Sequence, residues 1–288
     1  MPEPRAMADV AGLPARSLVI GGTGLLGRAL LRQGPNRPAS TWNRNDPPEP
    51  SSGWHHLDLA DRPAIDELID RLAPPVIVNA AYSRGGDDLE SVTAQAPGHL
   101  AAAAARTGTR FVHLSTDVVF AGDRQSAYVE SDRPDPVHQY GRAKADSEGA
   151  VVTAHPNPLV IRTSLLYGSV DGVQEQLVAG AEAEGTVFFT DEVRAPAHVD
   201  DLAAAIGRLV AAEVTGTVHL AGADAVDRLR FAQLLAPTVG VDPDTLRGAV
   251  SDPELIRPRH VVLASERLDV AGVTPLPGCG ERLGAERP

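Results

Sequence analysis

A single cysteine, Cys279, leaves this chain without a disulfide framework or a cysteine-rich metal centre, and it reads as a spare thiol. Aromatic residues are only 4% of the 288, so a core must be built from Val, Leu, Ile and Ala. No apolar run reaches membrane-spanning length, and the first residues lack the apolar segment of a signal peptide, which makes a cytoplasmic protein the expectation. Positive charge is short as well. The net charge of −12 disfavours non-specific attachment to nucleic acid or to an anionic membrane, although a local site can still take an anion. Residues 1–16, rich in Pro, Ala and charge, predict a loose tail. Met1 and Met7, the only methionines, both stand as candidate starts. His55-His56 has no metal-ligating company and reads as a loop pair, so no metal site is expected.

What is present suits a folded protein: 43% hydrophobic and 22% charged residues, in a chain long enough for one large domain with an appended lobe. Strand-like and helix-like segments alternate. Strands are expected at Leu18–Ile20, Ala39–Trp42, Pro75–Asn79, Phe111–Ser115, Leu159–Arg162 and Thr217–Leu220. Helices are expected at Asp61–Leu72, Leu89–Arg106 with a break near Pro97-Gly98, Tyr140–Val151 and Asp200–Ala212. This alternation predicts an α/β fold with a doubly wound parallel sheet. Residues 17–162 form its main body and 200–221 return to it. The less regular stretches 163–199 and 222–288, rich in Pro and Arg, predict a smaller lobe over the carboxyl edge of the sheet, where such folds bind ligands.

Two constellations carry chemistry. In the first, the apolar strand Leu18-Val19-Ile20 runs into Gly21, Gly24 and Gly27, followed by an amphipathic helix with Leu25, Leu26, Ala29 and Leu30 on one side. Glycines at such a turn let backbone approach a pyrophosphate, and the free N–H groups of the helix start hold the anion. In the second, Thr116 ends a strand, and Tyr140 and Lys144, four apart, share a helix face. An ammonium beside a phenol favours the phenolate, so Lys144 is expected to lower the Tyr140 pKa and fit it for proton exchange near neutral pH. His113, inside a strand, reads as structural. The second strand ends Thr41-Trp42-Asn43-Arg44, without the acid that binds a ribose 2′-hydroxyl. Arg44, with Arg28, suits a 2′-phosphate; the other reading makes Arg44 a solvated loop residue.

With these motifs assembled, the chain resembles an extended short-chain dehydrogenase/reductase, and within that group the dTDP-4-dehydrorhamnose reductase family. The resemblance rests on Gly21-x-x-Gly24-x-x-Gly27, Asp58-Leu59, Val78-Asn79-Ala80-Ala81-Tyr82, Ser115-Thr116-Asp117-Val118-Val119-Phe120, Tyr140-Gly-Arg-Ala-Lys144, Arg162-Thr163-Ser164 with Tyr167-Gly168, Ala195-Pro196 with Val199-Asp200-Asp201-Leu202, and Arg257-Pro258. It implies a Rossmann-like fold with a C-terminal substrate-binding lobe and an NADPH-dependent ketoreductase, with NADH left open as cofactor. It implies that Thr116 polarises the substrate carbonyl, Tyr140 donates the proton, and Lys144 holds the nicotinamide ribose. The cofactor wall would comprise Gly21, Thr23, Gly24, Leu25, Leu26, Gly27, Asn43, Arg44, Asp58, Leu59, Asn79, Ala80, Ala81, Tyr82, Ser115 and Thr163. The substrate side would comprise Tyr82, Thr116, Asp117, Tyr140, Arg194 and Arg257. The substrate implied is a nucleotide-linked 4-keto-6-deoxy sugar reduced at C4, and a homodimer is compatible with the family.

Three departures touch the substrate side: Ser83-Arg84-Gly85-Gly86-Asp87-Asp88 after Tyr82, Thr93 in place of an asparagine, and Val118 in place of a tyrosine. They leave the substrate open to another keto sugar or to a ketone outside sugar metabolism. Two other readings stand beside the reductase. One is a nucleotide-sugar epimerase that uses a tightly held nicotinamide transiently. The other is a regulatory subunit, like that of methionine adenosyltransferase, which keeps the cofactor fold without turnover.

Overall fold

A computed structural model describes residues 12–33, 36–47, 53–268, 273 and 275–285. Most of the N-terminal tail and both candidate starts lie outside the described residues. Its centre is a seven-stranded, wholly parallel sheet formed by β1 (Leu18–Ile20), β2 (Ala39–Trp42), β3 (Trp54–His56), β4 (Val76–Asn79), β5 (Arg110–Thr116), β6 (Leu159–Thr163) and the late strand Gly216–His219. The late strand lies beside β6, and the order from that edge continues β6, β5, β4, β1, β2, β3.

Period-two alternation sends consecutive side chains to opposite faces of this sheet. Val19, Val78, Val112 and Ile161 pack on one side with α1 (Leu25–Arg32) and the helix Val199–Ala211. Leu18, Ile20, Ile77, Phe111 and Val160 pack on the other with α2 (Arg62–Leu72), α3 (Ala96–Thr107) and the end of α4 (Gln139–Ala154). Covered on both faces, the strands read as near-continuous apolar runs. Helix α2 starts as its sequence demands. The Asp61 carboxylate accepts the Ala64 N–H at 3.0 Å, and Pro63 occupies the first turn, where its missing N–H costs nothing.

Beyond β6 come β7 (Leu166–Tyr167), α5 (Val173–Ala179), α6 (Ala181–Glu184), β8 (Val187–Phe189), β9 (Val193–Arg194) and β10 (Ala197–His198). The Val199–Ala211 helix is then α7 and the late strand β11, followed by β12 (Val226–Asp227), α8 (Arg228–Leu235), β13 (Arg247–Ala249) and α9 (Cys279–Ala285). Three two-stranded pairs, β10–β7, β12–β9 and β13–β8, knit this region. A separate apolar core gathers Tyr167, Val178, Phe188, Phe231 and Leu235 with Cys279, whose thiol is fully buried and pushed up to about 12 by that burial. A thiol so placed stays protonated and inert.

The structure departs from the sequence reading at three places. Leu13, assigned to the loose tail, is buried in the same apolar cluster as Val19 and Val76. His55-His56 is no loop pair. Trp54–His56 pairs in register with Ser40–Trp42 as the edge strand, and the Trp42 and His56 rings meet edge-on at 4.8 Å. The break in the 89–106 helix lies before Pro97, as a π-helical turn over Leu89–Gln95 that feeds directly into α3. Proline cannot donate to the carbonyl four residues earlier, and the preceding turn widens instead.

Gly27 sits where α1 crosses the β1–α1 turn. A Cβ there would stand 2.2 Å from the Gly21 carbonyl oxygen and 2.7 Å from Gly22 Cα, both backbone atoms that cannot swing away. Gly27→Ala is therefore expected to destabilise the fold by about 2 kcal/mol or more, against about 1 kcal/mol for Asp61→Ala, which only removes a cap. Urea denaturation of the two variants checks the ranking; an unshifted Gly27→Ala midpoint would show that the helix is free to move off the turn.

Candidate functional site

The carboxyl ends of β1, β4, β5 and β6 and the N-termini of α1 and α4 open on one cavity of about 1150 Å³. Parallel pairing sets this up. Ile20 is level with Asn79, Asn79 with His113, and Thr116 with Thr163, so every loop that follows emerges on the same side.

On one wall, Thr23, Gly24, Leu25 and Leu26 present the start of α1. Gly24 is its N-cap and supplies no side-chain hydrogen bond, which leaves the first N–H groups of the helix to other acceptors. Across the cavity stand Ala80, Ser115 and Thr163. The Thr163 hydroxyl oxygen is buried and has no partner among the described residues. An uncapped helix start and an orphaned buried hydroxyl on one cavity fit a phosphate-bearing, polar cofactor.

Thr116, Tyr140 and Lys144 also line this cavity, together with Tyr82 and Asp117. Tyr140 is in the first turn of α4, which His138 caps. Its Nδ1 accepts the Gly141 N–H at 2.9 Å, and burial lowers the ring's pKa, which keeps that nitrogen an acceptor. A Cβ on Gly141 would lie 2.3 Å from the Val118 carbonyl oxygen, so the glycine after Tyr140 is what lets α4 settle against the end of β5. The Tyr82 and Tyr140 rings are 6.0 Å apart, and Lys144 Nζ lies 5.8 Å over the Tyr82 ring. Lys144 is 3% exposed, donates to the Leu114 carbonyl at 2.8 Å, and has its pKa lowered to about 8 by burial, with Glu148 opposing. It is the only lysine in the chain, among 25 arginines; a residue count alone would have marked it.

One expectation is corrected here. The Tyr140 pKa is raised, not lowered, first by burial and then by Tyr82, and the opposing pull comes from Arg84. Lys144 directs its ammonium at the Leu114 carbonyl, and the phenol is held protonated.

Thr116 donates to Asp117 Oδ1 at 3.2 Å and accepts from the Val118 N–H at 3.4 Å. Asp117 is buried, accepts from Ser164 Oγ at 2.6 Å and lies 3.7 Å from Arg194 Nε; burial raises its pKa against these partners. Arg194 lines the cavity but spends its guanidinium on the Val193, Pro258 and Arg259 carbonyls as well as Asp117, so it braces the wall. Arg257 is more available, 40% exposed, paired with Glu192 at 2.9 Å and lying over the Phe189 ring. Glu192 and Arg228, which the sequence reading missed, complete this charged side. Both stand in irregular sequence with no motif around them.

Other expected residues lie off the cavity lining. Gly21 and Gly27 shape the turn behind it, and Ala81 backs Gly21. Asn79 is buried, with its amide between His113 Nδ1 and the Ala81 N–H. His113 in turn reaches Ser147, which leaves it a buried strut. Leu59 is buried and Asp58 is exposed, folding back on the Ala60 N–H. Asn43 and Arg44 lie outside the lining too, although neighbouring Asn45 reaches it. Arg44 is 74% exposed and ion-paired with Asp88, and Arg28 is paired with Asp171 at 2.8 Å; neither guanidinium is free. Of the three departures, Thr93 is explained: its hydroxyl takes the Ser83 N–H at 2.7 Å and returns a bond to the Ser83 carbonyl, fixing the loop after β4 that carries Tyr82. No helix among the described residues is long and apolar enough to cross a membrane, and they hold no cluster of metal-ligating side chains.

Known proteins share this architecture. The family model described as the RmlD substrate binding domain matches residues 15–285. A dTDP-4-dehydrorhamnose reductase of Mycolicibacterium smegmatis is 32% identical over 97% of this chain and 86% of its own. Methionine adenosyltransferase 2 subunit beta of Rattus norvegicus is 30% identical over 92% of this chain and 85% of its own. Among solved structures, the dTDP-4-dehydrorhamnose reductase of Bacillus anthracis in complex with NADP superposes with a TM-score of 0.78 at 20% identity, covering 95% of this chain and 98% of that one, a likeness of fold. The sheet order, the glycine turn and the match across nearly the whole length lead to one conclusion: this chain belongs to the RmlD substrate binding domain family.

Proposed function

We propose that this protein is an NADPH-dependent ketoreductase, an oxidoreductase of the short-chain dehydrogenase/reductase type, which reduces the C4 carbonyl of a nucleotide-linked 4-keto-6-deoxy sugar. The observation that carries this reading is that Thr116, Tyr140 and Lys144 share one cavity with the uncapped start of α1. The reductase name of the Mycolicibacterium relative, similar over nearly the whole chain, supports it.

In this reading the α1 start at Thr23–Leu26 holds the pyrophosphate, with Gly21 and Gly27 shaping the turn, and Ala80, Ser115, Thr163 and Lys144 face the nicotinamide half. Asn79 and Ala81 back that wall, Asn43, Asp58 and Leu59 flank the adenine side, and Arg44 exchanges Asp88 for the 2′-phosphate. When bound, the reduced nicotinamide supplies hydride to the carbonyl carbon. The chain's own residues do the rest. Thr116 turns its hydroxyl from Asp117 to the carbonyl oxygen, which withdraws electron density from the carbon. Tyr140, kept protonated by its surroundings, gives its proton to that oxygen as charge develops there. Lys144, one turn along the same helix, is the cation assigned to offset the phenolate left behind. Tyr82, Asp117 and Arg257 bound the sugar, with Arg194 bracing from behind. The region built on the second apolar core forms the substrate-binding lobe, and a cytoplasmic homodimer belongs to the same reading.

The beta-subunit relative supports a second reading, a cofactor-binding regulatory subunit. A complete absence of NADPH consumption with a panel of nucleotide 4-keto sugars, together with stable capture of a partner enzyme, would select it.

Tyr140→Phe is expected to lower turnover by at least about 100-fold and to leave NADPH affinity within twofold. Loss of NADPH absorbance with the keto-sugar panel and fluorescence titration of the cofactor measure the two quantities; undiminished turnover would remove Tyr140 from the chemistry. Arg44→Ala is expected to weaken NADPH binding about tenfold, the equivalent of roughly 1.4 kcal/mol, without changing NADH binding. Equal losses for both cofactors would show that Arg44 does not meet a 2′-phosphate.

A further inference from the structure

One turn beyond Lys144 on the same helix, Glu148 is also buried, and its carboxylate ties three elements together. It accepts from Ser115 Oγ on β5, next to Thr116. It also accepts from Arg162 on β6, Nε at 3.0 Å and Nη2 at 2.7 Å, next to Thr163. Arg162 is itself buried and lies 5.1 Å over the Phe120 ring. The pair therefore fixes the helix that carries Tyr140 and Lys144 against the two strand ends that complete the cavity. One turn earlier on the same helix is Lys144, an amine that burial has stripped of water. A buried ammonium tends to shed its proton, and the nearest compensation on its own helix is the Glu148 carboxylate.

We propose that Glu148, held in place by Arg162 and Ser115 one helical turn from Lys144, is a positioning residue that keeps the buried Lys144 amine charged. The proposal rests on the reductase reading for its catalytic consequence, but not for the charge state itself. Among the described residues, the groups that act on Lys144 are few: Glu148 on its own helix, Tyr82 after β4, His113 on β5 and, through Glu148, Arg162 on β6. Burial pushes His113 well below its usual range, with the Lys144 charge pushing the same way, so it stays neutral across the working range and cannot stand in for Glu148. The signs follow. Removing the carboxylate charge leaves Arg162 as an uncompensated neighbour and drives the Lys144 pKa down. Removing Arg162 leaves the carboxylate unopposed and drives it up.

Because the chain has a single lysine, labelling with 13Cε-lysine gives one side-chain signal, whose pH titration reads Lys144 alone in the free, full-length protein. Glu148→Gln is expected to move its midpoint down by about one pH unit, and Arg162→Gln to move it up. Glu148→Asp keeps the charge but withdraws it by one methylene, and is expected to give a smaller downward shift if Glu148→Gln proves unfolded. In turnover assays with a 4-keto sugar, the alkaline loss of kcat should move to lower pH in Glu148→Gln by the same amount as the titration. A purely structural role for the pair would lower stability and kcat without opposite shifts of the lysine signal, and unmoved midpoints in the folded variants would overturn the proposal. If the shifts are found but the wild-type protein consumes no NADPH, the reductase reading falls and the control of the amine stands.

Discussion

The parallel register of β4, β5 and β6 is the constraint from which the site follows. Once Asn79 is level with His113, and Thr116 with Thr163, three loops leave the sheet at one edge and cannot avoid each other. Parallel strands need crossover helices to return the chain, and those helices bury both faces of the sheet. The apolar content of the strands is the sequence's response to that burial, with Val, Leu and Ile filling positions that few aromatic residues are available to fill. A one-residue slip of β5 would turn Thr116 and Ser115 to each other's places, so the register is also what puts Thr116 beside Asp117 while Ser115, on the same cavity, anchors Glu148.

Charge at this edge is arranged by burial more than by direct contact. Tyr140 is moved up and Lys144 down by the same desolvation, which favours the neutral form of each. A protonated phenol is the form needed to deliver a proton to a developing alkoxide. The opposing carboxylate at Glu148 then decides how far the amine yields, and that carboxylate is affordable in a dry setting because Arg162 and Ser115 satisfy it. Breaking such a buried pair from one side typically costs about 3–5 kcal/mol, so the same contact serves the fold and the charge state.

What was legible in the sequence was local. The glycine turn, the Asp61 cap with Pro63, and the four-residue spacing of Tyr140 and Lys144 are each contained within one turn or one helix, and each is found in the structure as read. What the sequence does not show depends on distant partners. Asp88, 44 residues on, gives no local sign that it pairs with Arg44. The sign of the Tyr140 shift is not legible either, because the spacing fixes which face Lys144 shares, not where its ammonium points. Leu13 and the Trp54–His56 strand are too short and isolated to show periodicity, and they are ordered by what they pack against. Glu192 and Arg228 belong to the cavity only through the folding of the second apolar core.

The one lysine among 25 arginines shows what position 144 asks of its side chain. Elsewhere arginine serves every surface ion pair, including those of Arg28, Arg106 and Arg124. An arginine at 144 would bring a planar, five-donor group to a place with one carbonyl acceptor, leaving several buried N–H groups unpaired. It would also stay charged at every accessible pH, so neither burial nor Glu148 could adjust it. A lysine ammonium is compact, needs fewer acceptors, and responds to its surroundings across the range where an enzyme works. The buried, one-acceptor setting at position 144 therefore suits an amine better than a guanidinium, and the one lysine of the chain stands there.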